Sequence, residues 1–160
     1  MIEIYTDGSS KGNPGLGGWA TVVYKDGKYV THRAQYEDYV TNNRMELKGL
    51  LCALLFANGI KGEEIIIYSD SAYCVNALND WILGWKKLNW NRSKGELKNK
   101  DLFQQLYDLY WNEESGTPMR KENITITKVS GHTGVTGNEF ADALCSNNKE
   151  KINKIKASIS

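Results

Sequence analysis

Four acidic residues far apart along the chain, Asp7, Glu46, Asp70 and Asp142, are of a type and placement that could work together on a phosphate ester. Asp7 ends an apolar run that reads as a strand. Asp70 follows Glu64 to Ser69, a short β-branched run of the kind buried on both faces of a parallel sheet. If those strands are parallel neighbours they lie about 4.8 Å apart, and both aspartates stand at the carboxyl edge, where open α/β sheets bind ligands. Glu46 falls in the first turn of an intervening helix, one position before an apolar stripe. Asp142 is expected near the start of the last helix, after a glycine-rich loop, SGHTGVTGN, that carries His132. Crowded carboxylates raise one another's pKa and resist ionising, and a hard divalent cation reverses this. Two such ions about 3.5–4 Å apart can activate a water and stabilise the leaving oxygen of an in-line phosphoryl displacement. Taken singly, each acid has a plainer explanation. Asp7 before glycine suits a turn, Glu46 and Asp142 suit a first helical turn, and Asp70-Ser71 suits a helix cap.

The elements that must position these groups follow from pattern. Met1 to Tyr5 lead as a strand into a turn at Thr6-Asp7-Gly8. Trp19 to Lys25 and Lys28 to Tyr39 flank Asp26-Gly27, a strong hairpin signal. Asn42 to Asn58 reads as a helix with Leu47, Leu50, Leu51, Leu54 and Leu55 on one stripe, stopped at Asn58-Gly59. Ser71 to Trp90 reads as a helix broken at Gly84 and capped by Ser71. Asn99 to Asn112 reads as a helix, Ile124 to Val129 as a strand, and Glu139 to Asn147 as a helix that could run on to Lys156. The lysine-rich end is expected to fray. The order β-β-β-α-β-α-α-β-α predicts an α/β fold: a three-strand antiparallel meander plus two parallel strands, with helices on the faces of the sheet.

The chain's 160 residues suit a single domain over 1–160. Cys52, Cys74 and Cys145 match neither a disulfide framework nor zinc spacing, and read as thiols of a reducing cytosol. The N-terminus lacks the pattern of a signal peptide and no apolar run approaches a membrane span, so a soluble cytoplasmic protein is expected. Net charge is only +1, but its distribution is uneven. Residues 81–100 hold Lys86, Lys87, Arg92, Lys94, Lys98 and Lys100 against Glu96 alone, a local +5 that leaves −4 for the rest. Such a patch asks for an anionic partner, and its lysines would gain affinity by displacing counterions from phosphates. A solvated face is the alternative for the lysines. Core packing is expected for Trp81.

Several blocks then occur in order: Thr6-Asp7-Gly8-Ser9 with Gly12-Asn13-Pro14-Gly15, Thr41-Asn42-Asn43-Arg44-Met45-Glu46-Leu47, Ser69-Asp70-Ser71, Gly131-His132, and Asp142. In order and spacing they resemble type 1 ribonuclease H, from about Ile2 to Cys145. The resemblance implies a ribonuclease H-like fold with a five-stranded mixed sheet. It implies an endonuclease that hydrolyses the RNA strand of RNA–DNA hybrids with two Mg²⁺ ions, for which Mn²⁺ can substitute, leaving 5′-phosphate and 3′-hydroxyl ends. It makes Asp7, Glu46, Asp70 and Asp142 the metal ligands, and His132 a mobile-loop residue that assists proton transfer or product release. Asn13, Asn42 and Asn43 would touch the RNA strand, Arg44 would steady the groove or contact phosphate, and Thr41 with Asn99 would grip a DNA phosphate. Trp85, Lys86, Lys87, Trp90, Lys94 and Lys98 resemble the family's basic protrusion. Ala72 departs from the glutamine that several members carry after Asp-Ser. From the residues alone, His132 could equally be an exposed loop histidine and Asn42 a helix cap. Two other functions stay open at this point: a DNA nuclease of the same fold, resembling transposases or resolvases, and a non-catalytic hybrid-binding module. A monomer is expected.

Overall fold

The computed structural model describes residues 1–92, 95–129 and 136–159. Strands β1 (Ile2–Gly12), β2 (Gly15–Lys25) and β3 (Lys28–Val40) form the expected meander, turned between β2 and β3 by Asp26 and Gly27 at φ 50° and 79°. Both values are positive, as a twisted two-residue hairpin turn requires. Helix α1 (Asn42–Asn58) crosses to β4 (Ile65–Ser69), which lies parallel to β1. With β7 (Ile124–Lys128) the order is β3-β2-β1-β4-β7, a five-stranded mixed sheet with β4 and β7 also parallel.

Strand β1 runs further than its sequence suggests. Its parallel pairing with β4 stops at Thr6↔Ser69, whereas its antiparallel pairing with β2 continues to Gly12↔Gly15. Asp7 therefore does not end β1. It sits where the sheet forks, one residue beyond the last pair with β4, just as Asp70 follows Ser69.

Alternation along β1 splits the core into two layers. Ile2 and Ile4 pack with Leu47, Leu50, Ala53, Leu54 and Ala57 of α1, while Tyr5 packs on the other side with Phe140, Leu144, Ile152 and Ile155. The α1 stripe is narrower than expected. Leu51 is half-buried and Leu55 is 58% exposed, and the small side chains of Ala53 and Ala57 complete the buried face instead.

The expected break at Gly84 is absent. The irregularity is a π-helical turn, Ala77–Trp81, between α2 (Ala72–Asn76) and α3 (Ile82–Lys87). Asn79 in that turn donates its amide to the Ile126 carbonyl (2.9 Å) and accepts from the buried Tyr110 hydroxyl (2.6 Å). This ties the wide turn to β7. Trp81 is left 41% exposed rather than in the core, because Leu78 and Ile82 take the buried face. Ser71 caps α2 as expected, its hydroxyl accepting from the Cys74 amide.

Helix α4 (Lys100–Tyr110) ends at Tyr110, not Asn112, and the chain enters a hairpin not expected from the sequence, β5 (Trp111–Glu114) and β6 (Thr117–Arg120). Its strands are polar and mostly exposed, so no apolar alternation marks them. The positive φ of Ser115 and Gly116 marks the turn. Helix α5 (Thr136–Cys145) is followed by α6 (Lys149–Ile159). The segment expected to fray is helical here, with Ile152 and Ile155 of α6 buried beside Tyr24 and Leu144 and the lysines on the outer face. The three cysteines are unpaired. Among the described residues no helix is long and apolar enough to cross a membrane.

Candidate active site

The site is organised around Gly8. Its amide donates to Asp7 Oδ1 and to Glu46 Oε1, both at 2.8 Å. A Cβ at Gly8 would lie 2.3 Å from the backbone nitrogen of Glu46, so only glycine lets the first turn of α1 come this close to β1. That turn is fixed by Thr41, whose hydroxyl accepts from the Arg44 amide at 3.2 Å. Thr41, rather than Asn42, is the cap. Parallel pairing brings Asp70 alongside Asp7. Carboxylate oxygens of Asp7, Glu46 and Asp70 all lie within 4.8 Å of one another. Asp142 stands in the second half of α5, not near its start, and α5 is not the last helix. It still reaches the site: ligand atoms of Asp7, Asp142 and Cys145 form a second group within 4.8 Å. Asp7 belongs to both groups, so all four acids singled out in the sequence gather on it. Lys151 approaches Asp142 at 3.6 Å from the outside.

Asp7 and Glu46 are each only 5% exposed, and this decides their protonation. Burial first, then the hydrogen bond to Glu46 and the charges of Glu46 and Asp70, push the Asp7 carboxyl far above the usual carboxylate range, with the Gly8 amide opposing. Burial also raises Glu46; the Asp70 charge adds to this, while bonds from Asp7, Gly8 and Ser69 hold it down. Without a cation both groups resist ionisation. Glu46 Oε2 is buried and has no hydrogen-bond partner among the described residues. A buried, unpartnered carboxylate oxygen costs on the order of 1–3 kcal/mol or more. A divalent ion placed among oxygen donors removes both the mutual repulsion and this deficit, so the donor set fits such an ion.

The other expected contacts divide into groups. Asn13, preceding a cis bond to Pro14, accepts from the Asn42 amide (2.8 Å), and Asn42 accepts from the Ser10 amide (2.9 Å). Together with exposed Asn43 they form an amide-lined shelf beside the acids. Arg44 is held by Asp101 in a two-bond pair (3.1 and 2.8 Å) and also donates to Asn99 Oδ1 (3.2 Å). It thus joins Thr41 to Asn99, but its guanidinium is committed to Asp101. Trp90 is 8% exposed and packs edge-on against Tyr107, which removes its ring from the binding face. Trp85 is half-buried against Phe103. Lys86 lies 3.9 Å from Glu113 and over the Tyr107 ring, whereas Lys87, Arg92 and Lys98 are exposed with no ion pair among the described residues. His132 and Lys94 lie outside the described residues. Sequence reasoning missed the packing role of Gly8, which no spacing reveals. It also missed Cys145, for which a signal existed: a thiol three residues after Asp142 shares its helix face.

A forked mixed sheet with acids gathered at its carboxyl edge defines an α/β protein whose donor set fits a divalent cation. Comparison with known proteins narrows the class. The RNase H family model matches residues 1–150. A ribonuclease H of Francisella tularensis subsp. novicida (strain U112) is 40% identical over 145 residues, covering 89% of this chain and 87% of that one. A ribonuclease H of Francisella philomiragia is equally similar, at 40% over 145 residues. Among solved structures, RNase H1 of the archaeon Halobacterium salinarum NRC-1 superposes with a TM-score of 0.62 at 25% identity, covering 93% of this chain and 97% of that one. LC11-RNase H1, solved with an RNA/DNA hybrid, gives 0.67 at 22% over 94% and 99%, a likeness of fold. The chain belongs to the RNase H family and is a nuclease.

Proposed function

We propose that this protein is an endonuclease that hydrolyses the RNA strand of RNA–DNA hybrids, leaving 5′-phosphate and 3′-hydroxyl ends, with Asp7, Glu46, Asp70 and Asp142 as ligands for two divalent ions, Mg²⁺ in the cell. The observation that carries it is the gathering of these carboxylates on Asp7, with Glu46 Oε2 buried and unpartnered. Bound Mg²⁺ would supply a water of lowered pKa and Lewis acidity at the scissile phosphate. The chain's own groups do the rest. The Gly8 amide holds Asp7 and Glu46 at one point, so their oxygens are preset before a ligand arrives. Asn13, Asn42 and Asn43 present amides beside the acids, where a 2′-hydroxyl distinguishes RNA from DNA. The Thr41–Arg44–Asn99 assembly lies next along α1 and α4, suited to a phosphate of the opposite strand. Lys87, Arg92 and Lys98, with Lys86 and Lys94, supply the charge that draws in a backbone, and Trp85 braces that surface. His132 is assigned to proton transfer or product release. The chain acts as one domain, as a monomer, in the cytoplasm.

The test is cleavage of one end-labelled sequence presented as hybrid, duplex DNA and duplex RNA, with Mg²⁺ and with a chelator. Cleavage of the RNA strand of the hybrid alone, abolished by chelation, is the expected result. Equal cleavage of duplex DNA, or metal-independent binding without cleavage, would overturn it.

A further inference from the structure

Cys145 stands closer to the acidic edge than a buried structural thiol needs to. It follows Asp142 by three residues, so one face of α5 presents a carboxylate and a thiol together. Its Sγ donates to the Asp142 carbonyl at 3.3 Å, and Ser9 Oγ lies 3.6 Å away. The decisive observation is that Sγ and carboxylate oxygens of Asp7 and Asp142 all lie within 4.8 Å of one another. Around a tetrahedral zinc, bonds of about 2.3 Å to sulfur and about 2.1 Å to oxygen place donors roughly 3.5 Å apart, so the three side chains would draw together by up to about 1.3 Å on binding. Although Cys145 is 2% exposed, it lines a cavity of about 230 Å³ together with Ser9, Ser10, Leu16 and Tyr36. Asp7 is common to this group and to the group of Asp7, Glu46 and Asp70, so an ion held at Cys145 would share that ligand.

We propose that Cys145 adds a soft donor to the acidic site, so that thiophilic divalent cations such as Zn²⁺ or Cd²⁺ bind Asp7, Asp142 and Cys145 together and displace the hard cation from Asp7. The proposal rests on the assignment of Asp7 as a divalent-ion ligand. Oxygen-only sites discriminate weakly toward Mg²⁺ and Mn²⁺, while a thiolate selects zinc-like ions. The S–metal bond forms as the thiol proton leaves to solvent, with no change of oxidation state. Such an ion ties Asp7 to α5, away from Glu46 and Asp70, and acts as an inhibitor.

The test is titration of the metal-free protein with Cd²⁺, followed by thiolate-to-metal charge-transfer absorption in the ultraviolet. A saturable band at one ion per chain is expected, weakened by excess Mg²⁺ because both ions need Asp7. Cys145→Ser should lose the band and at least about tenfold in Cd²⁺ affinity. The Cys52→Ser/Cys74→Ser double variant, whose only thiol is Cys145, should keep the band, which decides the matter even if Cys145→Ser folds poorly. No band in the unaltered protein, a band surviving Cys145→Ser, or indifference to Mg²⁺ would overturn the proposal. Failure of the unaltered protein to cleave a hybrid with Mg²⁺ would instead overturn the functional reading and leave the band in place.

Discussion

The acidic edge and the basic protrusion are both clusters of like charge, yet they stand in opposite relation to the fold. At the edge, Asp7 and Glu46 are buried, share the Gly8 amide and are both pushed above the usual carboxylate range. On the protrusion, Lys87, Arg92 and Lys98 are exposed to water. Burial makes the first cluster costly to ionise until a cation arrives, while solvent and salt screen the second. The edge is therefore coupled to folding, to pH and to metal, and the protrusion to ionic strength alone. Lys86 is the intermediate case, drawn toward Glu113 and Tyr107.

Removing one charge from each cluster should expose this difference. Asp7→Asn should leave a folded protein whose hybrid cleavage falls by roughly 10³-fold or more, measured with saturating substrate. Near-normal turnover would remove Asp7 from the centre of the site. Gly8→Ala should follow in size. Its Cβ would strike the start of α1, costing about 3 kcal/mol in denaturant unfolding and displacing Glu46. A variant as stable and active as the parent would show that the contact is easily relieved.

The metal-free stability should depend on pH in a defined direction. Folding raises the pKa of Asp7 above 3.8 and of Glu46 above 4.5, so the folded protein binds more protons than the unfolded chain. Stability in chelator should then fall as pH rises from about 4 through neutrality. Asp7→Asn should flatten that slope and be more stable than the parent at neutral pH by about 1–2 kcal/mol. A parent protein that gains stability over this range would contradict the burial argument. The smallest effects belong to the protrusion. Lys87→Ala should weaken hybrid binding across sequences and lower the salt slope by about 1. Lys86→Ala should do less to the slope and cost a few tenths of a kcal/mol of stability through its lost contacts with Glu113 and Tyr107. Equal slopes for the two would erase the distinction between them.

The parts legible in the sequence were those fixed by local rules. Asp26-Gly27 announced its hairpin, and Leu47, Leu50 and Leu54 the buried face of α1, with Leu51 half-buried and Leu55 exposed. The Glu64–Ser69 run announced a strand, which placed Asp70 beside Asp7, although its second face, at Ile66 and Tyr68, is only half-buried. What stayed hidden depends on long-range packing. The fork that puts Asp7 inside β1 arises because β1 has two partners of different reach. The π turn at Ala77–Trp81 is held by Asn79 against Tyr110 and β7, residues with no local signature in common. The β5–β6 hairpin and α6 were masked by polar composition. Trp90 looked like a binding residue because it lies among cations in sequence, but in space it closes against Tyr107.

The central claim, that buried carboxylates converge to hold a divalent cation, is tested most directly by thermal unfolding of the parent and Asp7→Asn at neutral pH, with and without Mg²⁺. The account predicts that Mg²⁺ raises the melting temperature of the parent, with a stabilisation that grows as the logarithm of one plus the ratio of free Mg²⁺ to Kd, and leaves Asp7→Asn unchanged. An equal response in both proteins, or none in the parent, would contradict it.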